Sequence, residues 1–183
     1  MRIYCMPNSK TSGSAAVYAL LRYAFSIGYG SCFPQIKKTP NGKPYFPERP
    51  DVHFSLSHTK THVLCALSSD PVGADIESPR HISQRAIRFF CSSDELSIFD
   101  PLDLWVLKES YIKLFGETLP TIRKIHFSRK DDMIIVPDRS VVSKLYRVAD
   151  CRAAVTGFDK NLPKSIELIN SSAIYIYSSD KTL

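Results

Sequence analysis

The sequence predicts an α+β protein of two similar halves, each a small antiparallel sheet packed with helices, related by a pseudo-twofold axis. Three observations carry that expectation. Short alternating or apolar runs, the mark of strands, recur on both sides of Glu77. Helical periodicity appears once early and again after Pro79. No low-complexity linker interrupts the chain, so the halves, drawn as residues 1–78 and 79–183, form one compact unit with a site between them. A chain of 183 residues can bury roughly 70% of its unfolded surface and needs neither metal nor disulfide to fold.

The first strand is Arg2 to Met6. From Ser14 to Ile27, Val17, Leu20, Leu21 and Ala24 recur at helical spacing, and Gly28 and Gly30 close the helix. Residues 39–50 form a proline-rich loop around Asn41-Gly42. Val52, Phe54 and Leu56 then alternate with His53, Ser55 and Ser57, which predicts a half-buried strand with its polar residues on the wet side. Val63–Leu67 and Val72–Glu77 follow as strands, the second entered through Asp70-Pro71. Beyond Pro79 the pattern is helical. Ser92-Ser93-Asp94-Glu95 fits a capping box. Pro101 suits the first turn of a longer helix, Asp103 favours its positive end, and Gly116 stands where the helix would be capped. Strands return at Met133–Val136, Val142–Val148, Ala153–Phe158 and Ala173–Tyr177, and Ser178–Leu183 is expected to fray.

Composition narrows the function. With 44% hydrophobic and 23% charged residues the chain is globular, and a net charge of +6 points to an anionic partner. The apolar run Ala15–Leu21 is far too short to span a bilayer, and Pro7, Asn8, Ser9 and Lys10 stand where a secretory signal would need its apolar core. No membrane partner is expected. Five scattered cysteines without a CxxC exclude a disulfide framework and a cysteine zinc site, and fit free thiols in the cytoplasm. His53, His58 and His62 match no zinc spacing.

Two acidic elements stand out. Asp75 and Glu77 are two apart on a strand, so both face one side while Ile76 faces the other. In the stretch Trp105-Val106-Leu107-Lys108-Glu109-Ser110-Tyr111-Ile112-Lys113, a helix buries Leu104, Leu107, Tyr111, Leu114 and Phe115. Glu109 and Lys113 lie together away from that stripe. Taken singly, the first reads as an exposed strand end, the second as a surface ion pair, and Trp105 as packing at the core's edge. Brought together, three carboxylates would repel one another unless protonated or bridged by a cation. Mg²⁺ takes oxygen ligands and shares them with phosphates, and Lys113 would face the same phosphates. That outlines a phosphoryl-type transfer site.

Four motifs in order, Asn41-Gly42-Lys43-Pro44, Phe54-Ser55-Leu56-Ser57-His58, Val72-Gly73-Ala74-Asp75-Ile76-Glu77 and Trp105 to Lys113, resemble the 4′-phosphopantetheinyl transferase superfamily. Within it they are similar to the surfactin-synthetase-activating type, whose two halves share one chain. The resemblance implies transfer of the phosphopantetheine arm of coenzyme A to a serine of an acidic acyl or peptidyl carrier protein, with release of adenosine 3′,5′-bisphosphate. It implies Asp75, Glu77 and Glu109 as Mg²⁺ ligands, Glu109 as general base, and Lys113 as the group that neutralises or protonates at the phosphates. It implies coenzyme A contacts from Lys38, Asn41, Gly42, Lys43, Pro44, Ser57, His58, Asp75, Lys108 and Lys113. It further implies a cytoplasmic monomer with no nucleic-acid partner, and an N-terminal half shortened before the Ser14 helix. Two other classes stay open: a carrier- or coenzyme-A-binding module without catalysis, and a Mg²⁺-dependent nuclease, which the lack of an ExK after the DxE pair disfavours.

Overall fold

The computed structural model describes residues 1–8, 13–30 and 32–174. In chain order the elements are β1 (Arg2–Pro7), α1 (Gly13–Tyr29), β2 (Lys37–Lys38), β3 (Pro44–Tyr45), β4 (His53–His58), β5 (His62–Ser68), β6 (Val72–Glu77), α2 (Gln84–Phe90), α3 (Ser93–Leu96), α4 (Pro101–Phe115), β7 (Ser128–Lys130), β8 (Met133–Ile135), β9 (Val142–Val148), β10 (Cys151–Gly157) and β11 (Glu167–Leu168). Short 3₁₀ turns span Leu119–Lys124 and Ser171–Ile174. The expected last strand, Ala173–Tyr177, begins instead in the second of these turns, and its remainder, like Ser178–Leu183, lies outside the described residues.

One main sheet runs β11-β1-β5-β4 and a second β6-β10-β9, each built on antiparallel pairs apart from the short parallel β1–β11 contact, and β2-β3 and β7-β8 form two separate two-stranded ribbons. Alternation along the strands sorts the side chains into layers. Tyr4, Met6, Phe54, Val63 and Cys65 meet Val17, Leu20, Leu21 and Phe25 of α1. Ile3, Cys5, Leu64 and Ala66 turn the other way, onto Val72, Ala74, Ile76, Ala153 and Val155 of the second sheet. The far side of that sheet, through Ala154 and Leu145, carries the cluster around Leu104, Leu107 and Tyr111 of α4. The order is helix, sheet, sheet, helix.

β6 pairs along its whole length with β10, within the second sheet, while β11 returns to the first. One expectation changes here. The polar side of β4 is not wet. Ser55 and Ser57 are buried and form the seam between the sheets. Ser55 Oγ accepts the Ala74 amide at 2.8 Å, and Ser57 Oγ accepts that of Ile76 at 3.3 Å. These hydroxyls stand in for a backbone ladder, because a buried amide without a partner is costly.

Helix α4 starts on Pro101, with the Asp100 carboxylate accepting the Leu102 amide at 2.8 Å, and ends on Gly116 in the left-handed conformation (φ 66°). Its core stripe is buried as expected, except that Phe115 is exposed. It crosses β6 at Gly73, where a Cβ would overlap the Ser110 carbonyl oxygen and the Leu114 amide. Only glycine permits so close an approach of two backbones. A buried hydroxyl chain, Ser110 to Thr156 to Ser143 at 2.7 Å each, fastens the helix to the sheet beside that crossing.

Candidate active site

The strand period and the helix period meet across the β6–α4 crossing. On β6, Gly73, Asp75 and Glu77 face the helix while Val72, Ala74 and Ile76 face the other sheet. On α4, Trp105, Glu109 and Lys113 recur every four residues and form the half-buried face turned toward them. Lys113 Nζ donates to Asp75 Oδ1 at 2.6 Å, and Ser57 Oγ donates to the same oxygen at 2.7 Å. The indole N–H of Trp105 donates to Glu77 Oε1 at 3.2 Å, and Arg80 stands 3.5 Å from Glu77 Oε2. Glu109 makes no hydrogen bond or ion pair among the described residues, yet its carboxylate lies within the field of Asp75, Glu77 and Lys113.

The electrostatics follow from burial. Loss of water, and then repulsion from Asp75, raise both Glu77 and Glu109 above the ordinary carboxyl range. Arg80, the Trp105 N–H and Lys113 offset part of this at Glu77, and Lys113 alone does so at Glu109. Asp75 is buried, and its Oδ2 has no hydrogen-bond partner. A buried carboxylate oxygen left without a partner is rare. The donor set around it is all oxygen, which suits a hard cation such as Mg²⁺. Among the described residues, no three acidic, histidine or cysteine side chains stand at metal-holding spacing with Lys113 seated on Asp75.

The other expected residues divide. Asn41, Gly42, Lys43 and Pro44 line a cleft of about 270 Å³ with Ser55 and Lys113. Gly42 turns that loop with φ 85°. Within it Asn41 Nδ2 donates to the Gly116 carbonyl at 2.9 Å and Lys43 Nζ to that of Leu114 at 2.5 Å. Both side chains therefore satisfy the carbonyl end of α4, and burial lowers the pKa of Lys43. His58 is exposed at the end of β4, on a groove of about 920 Å³ shared with Asn8, Lys60, Glu77 and Arg80. Lys38 is exposed on β2, and Ser57 is turned to Asp75 rather than to the open cleft.

Lys108 is a correction. It is fully buried, with Nζ donating to Glu95 at 3.0 Å and to the Phe90 carbonyl at 2.5 Å, so it faces the core of the second half and no phosphate can reach it. One helical step of roughly 100° separates it from Glu109 and turns the two apart. Sequence reasoning gave Trp105 to the core edge and missed its hydrogen bond to Glu77. Its place four residues before Glu109 and eight before Lys113 is the signal that puts it on the same face.

Residues 71–144, which carry β6 and α4, match the model of the 4′-phosphopantetheinyl transferase superfamily. Over these residues the chain is similar to that superfamily. It is similar to 4′-phosphopantetheinyl transferase Sfp of Bacillus subtilis (strain 168), 40% identical over 88 residues, covering 43% of this chain and 39% of that one. It is also similar to 4′-phosphopantetheinyl transferase gsp of Aneurinibacillus migulanus, 37% identical over 93 residues, covering 44% and 38%. The same holds for psf-1 of Bacillus pumilus, 37% over 87 residues, covering 42% and 37%. The chain thus spans about two fifths of the length of these relatives. Among the described residues, no helix is long and apolar enough to cross a membrane.

Proposed function

We propose that the protein is a 4′-phosphopantetheinyl transferase that moves the phosphopantetheine arm of coenzyme A to a carrier-protein serine and releases adenosine 3′,5′-bisphosphate. The observation that carries this reading is the facing of Asp75 and Glu77 by Glu109 and Lys113, with Asp75 Oδ2 left bare, inside the segment that matches the superfamily. Asp75, Glu77 and Glu109 would hold Mg²⁺, which when bound supplies charge neutralisation at the pyrophosphate.

The chain's own groups supply the rest. Glu109, with its raised pKa and no competing hydrogen bond, accepts the proton of the carrier serine hydroxyl as that oxygen attacks phosphorus. One P–O bond forms to serine and one breaks toward the nucleotide bisphosphate. Lys113 lies between Asp75 and the open cleft and keeps an ammonium beside the phosphate that leaves. The loop 41–44 and the groove at His58 flank the carboxylates along β4 and would receive the coenzyme, with Lys38 and His58 toward its outer phosphate. An acidic carrier would meet the arginine-rich face of α2, where Arg85 and Arg88 are exposed. We read the two sheet-and-helix layers as pseudo-twofold halves of a cytoplasmic monomer.

Intact-mass analysis tests the proposal. Incubating apo acyl and peptidyl carrier proteins with the enzyme, coenzyme A and Mg²⁺ should add one phosphopantetheine to a carrier. Binding of coenzyme A without any mass gain would favour a non-catalytic module. Mg²⁺-dependent cleavage of DNA in place of the mass gain would favour the nuclease.

A further inference from the structure

Trp105 touches two regions that the proposed function uses separately. Its N–H is bonded to Glu77, one of the three candidate ligands. Its ring stands edge-on to Phe90 at 5.1 Å and lines a groove of about 520 Å³ together with Phe89, Leu119, Arg85, Arg88 and Arg123. Phe89 and Leu119 are 45% and 48% exposed and both line this groove. The guanidinium of Arg80 lies 5.4 Å from the centre of the Trp105 ring, on the side that also meets Glu77. A single indole therefore spans the distance from an apolar, cationic groove to the half-buried carboxylate of Glu77.

We propose that Trp105 is a positioning residue: its N–H fixes the Glu77 carboxylate, and its ring couples the Phe89–Leu119 groove to that carboxylate. This rests on the transferase reading. The physical basis is that Glu77 turns one oxygen to the indole and the other toward Arg80, so the carboxylate cannot rotate without breaking a bond to the indole or losing its ion pair. A body seated in the groove presses on the ring, and the ring is hydrogen-bonded to Glu77. The carrier's contact surface and the acidic site then report to each other through one side chain.

The chain has one tryptophan, so its fluorescence is a direct readout. Mg²⁺ alone, titrated into the full chain, should shift or quench the emission with the same midpoint that calorimetry gives for Mg²⁺ binding. The response should vanish in Glu77→Gln. A purified apo acyl carrier protein should change the same emission without Mg²⁺. Mg²⁺ binding seen by calorimetry with silent tryptophan emission overturns the proposal. Absence of any phosphopantetheine gain on the carrier overturns the transferase reading, and this proposal with it, whereas mass gain with Mg²⁺ and coenzyme A and a silent tryptophan overturns this proposal alone.

Kinetics give the second arm. Trp105→Phe keeps a ring in the groove and removes the donor. It should lower kcat roughly tenfold or more while the KM for the carrier stays within about twofold, since a hydrogen bond to a charged group is lost and the groove is not. Trp105→Ala should impair both. Should Trp105→Phe fold normally and retain full kcat, or should it change only the melting temperature, Trp105 is a packing residue and the proposal fails.

Discussion

Helix α4 carries two lysines, Lys108 and Lys113, and each is paired with a buried carboxylate under opposite conditions. At Lys108 the partner, Glu95, is saturated. It accepts the amides of Ser92 and Phe127 at 2.9 and 3.0 Å as well as the ammonium. Burial alone would raise the Glu95 pKa, but those donors outweigh it and hold the carboxyl below its ordinary range. At Lys113 the partner, Asp75, keeps a bare oxygen, and Glu77 and Glu109 beside it are pushed up. The same helix thus holds one fully satisfied ion pair and one whose carboxylate keeps an unpartnered oxygen. A saturated pair stabilises a fold, and an unsaturated one stores the unfavourable charge that a ligand can relieve.

The largest break in this comparison should come at Lys108. Lys108→Ala leaves Glu95 buried without its cation and should cost about 3–5 kcal/mol in chemical denaturation. Lys113→Ala, at a partly exposed pair, should change stability by at most about 1 kcal/mol and yet lower kcat by about a hundredfold or more. Equal losses of stability at the two positions would erase the distinction. Glu109→Gln belongs with Lys113. It removes an isolated, raised carboxylate, so turnover should fall by about 10²–10⁴-fold while the melting temperature holds or rises.

Acidity sharpens the contrast because the two regions carry opposite signs. A raised carboxyl binds its proton more tightly folded than unfolded. The stability linked to Glu77 and Glu109 is therefore complete below the ordinary value near 4.5 and lost as the pH rises through their raised values. Glu95 behaves in reverse: its contribution is present above 4.5 and lost as the pH falls through its depressed value. In EDTA, melting temperature should decline from mildly acidic toward neutral pH. Glu109→Gln should flatten that decline, and saturating Mg²⁺ should offset it. A profile in EDTA that rises steadily to neutrality would contradict the burial of charge at the site.

Smaller effects test the periphery. Charge reversal at Arg85 and Arg88 should raise the carrier KM several-fold at low salt, and the difference should shrink as salt screens exposed charges. His58→Ala should weaken the preference for coenzyme A over 3′-dephospho-coenzyme A by about tenfold, since one charge-assisted phosphate contact is worth about 1.5–3 kcal/mol. The ratio of kcat/KM for the two donors is the measurement.

The sequence made the central pairing readable because two periods are rigid. A spacing of two puts Asp75 beside Glu77 across Ile76, and a spacing of four puts Glu109 over Lys113. The Ser92–Glu95 capping box and the Gly116 cap were legible for the same reason: their partners lie within a few residues. What escaped depends on partners far along the chain. Nothing near Lys108 in sequence shows that it turns to Glu95, or that Lys43 ends on the Leu114 carbonyl. The alternation of β4 is the same whether Ser55 and Ser57 meet water or a second sheet, so the seam looked like a surface.

Gly73 acts as a shim of zero thickness. Because strand and helix backbones touch there, the spacing between Asp75, two residues on from Gly73, and Lys113, next to Leu114, is set by a contact that no side chain cushions. A methyl group at that point would wedge the helix outward and tilt its far end, and the tilt would be felt at every functional side chain of α4 together. Among all single-residue variants of β6, those at Gly73 should therefore be intolerant of even the smallest substitution. A saturation library at this codon, scored for transfer, should return glycine alone, while neighbouring Ala74 and Val72 accept some small apolar alternatives.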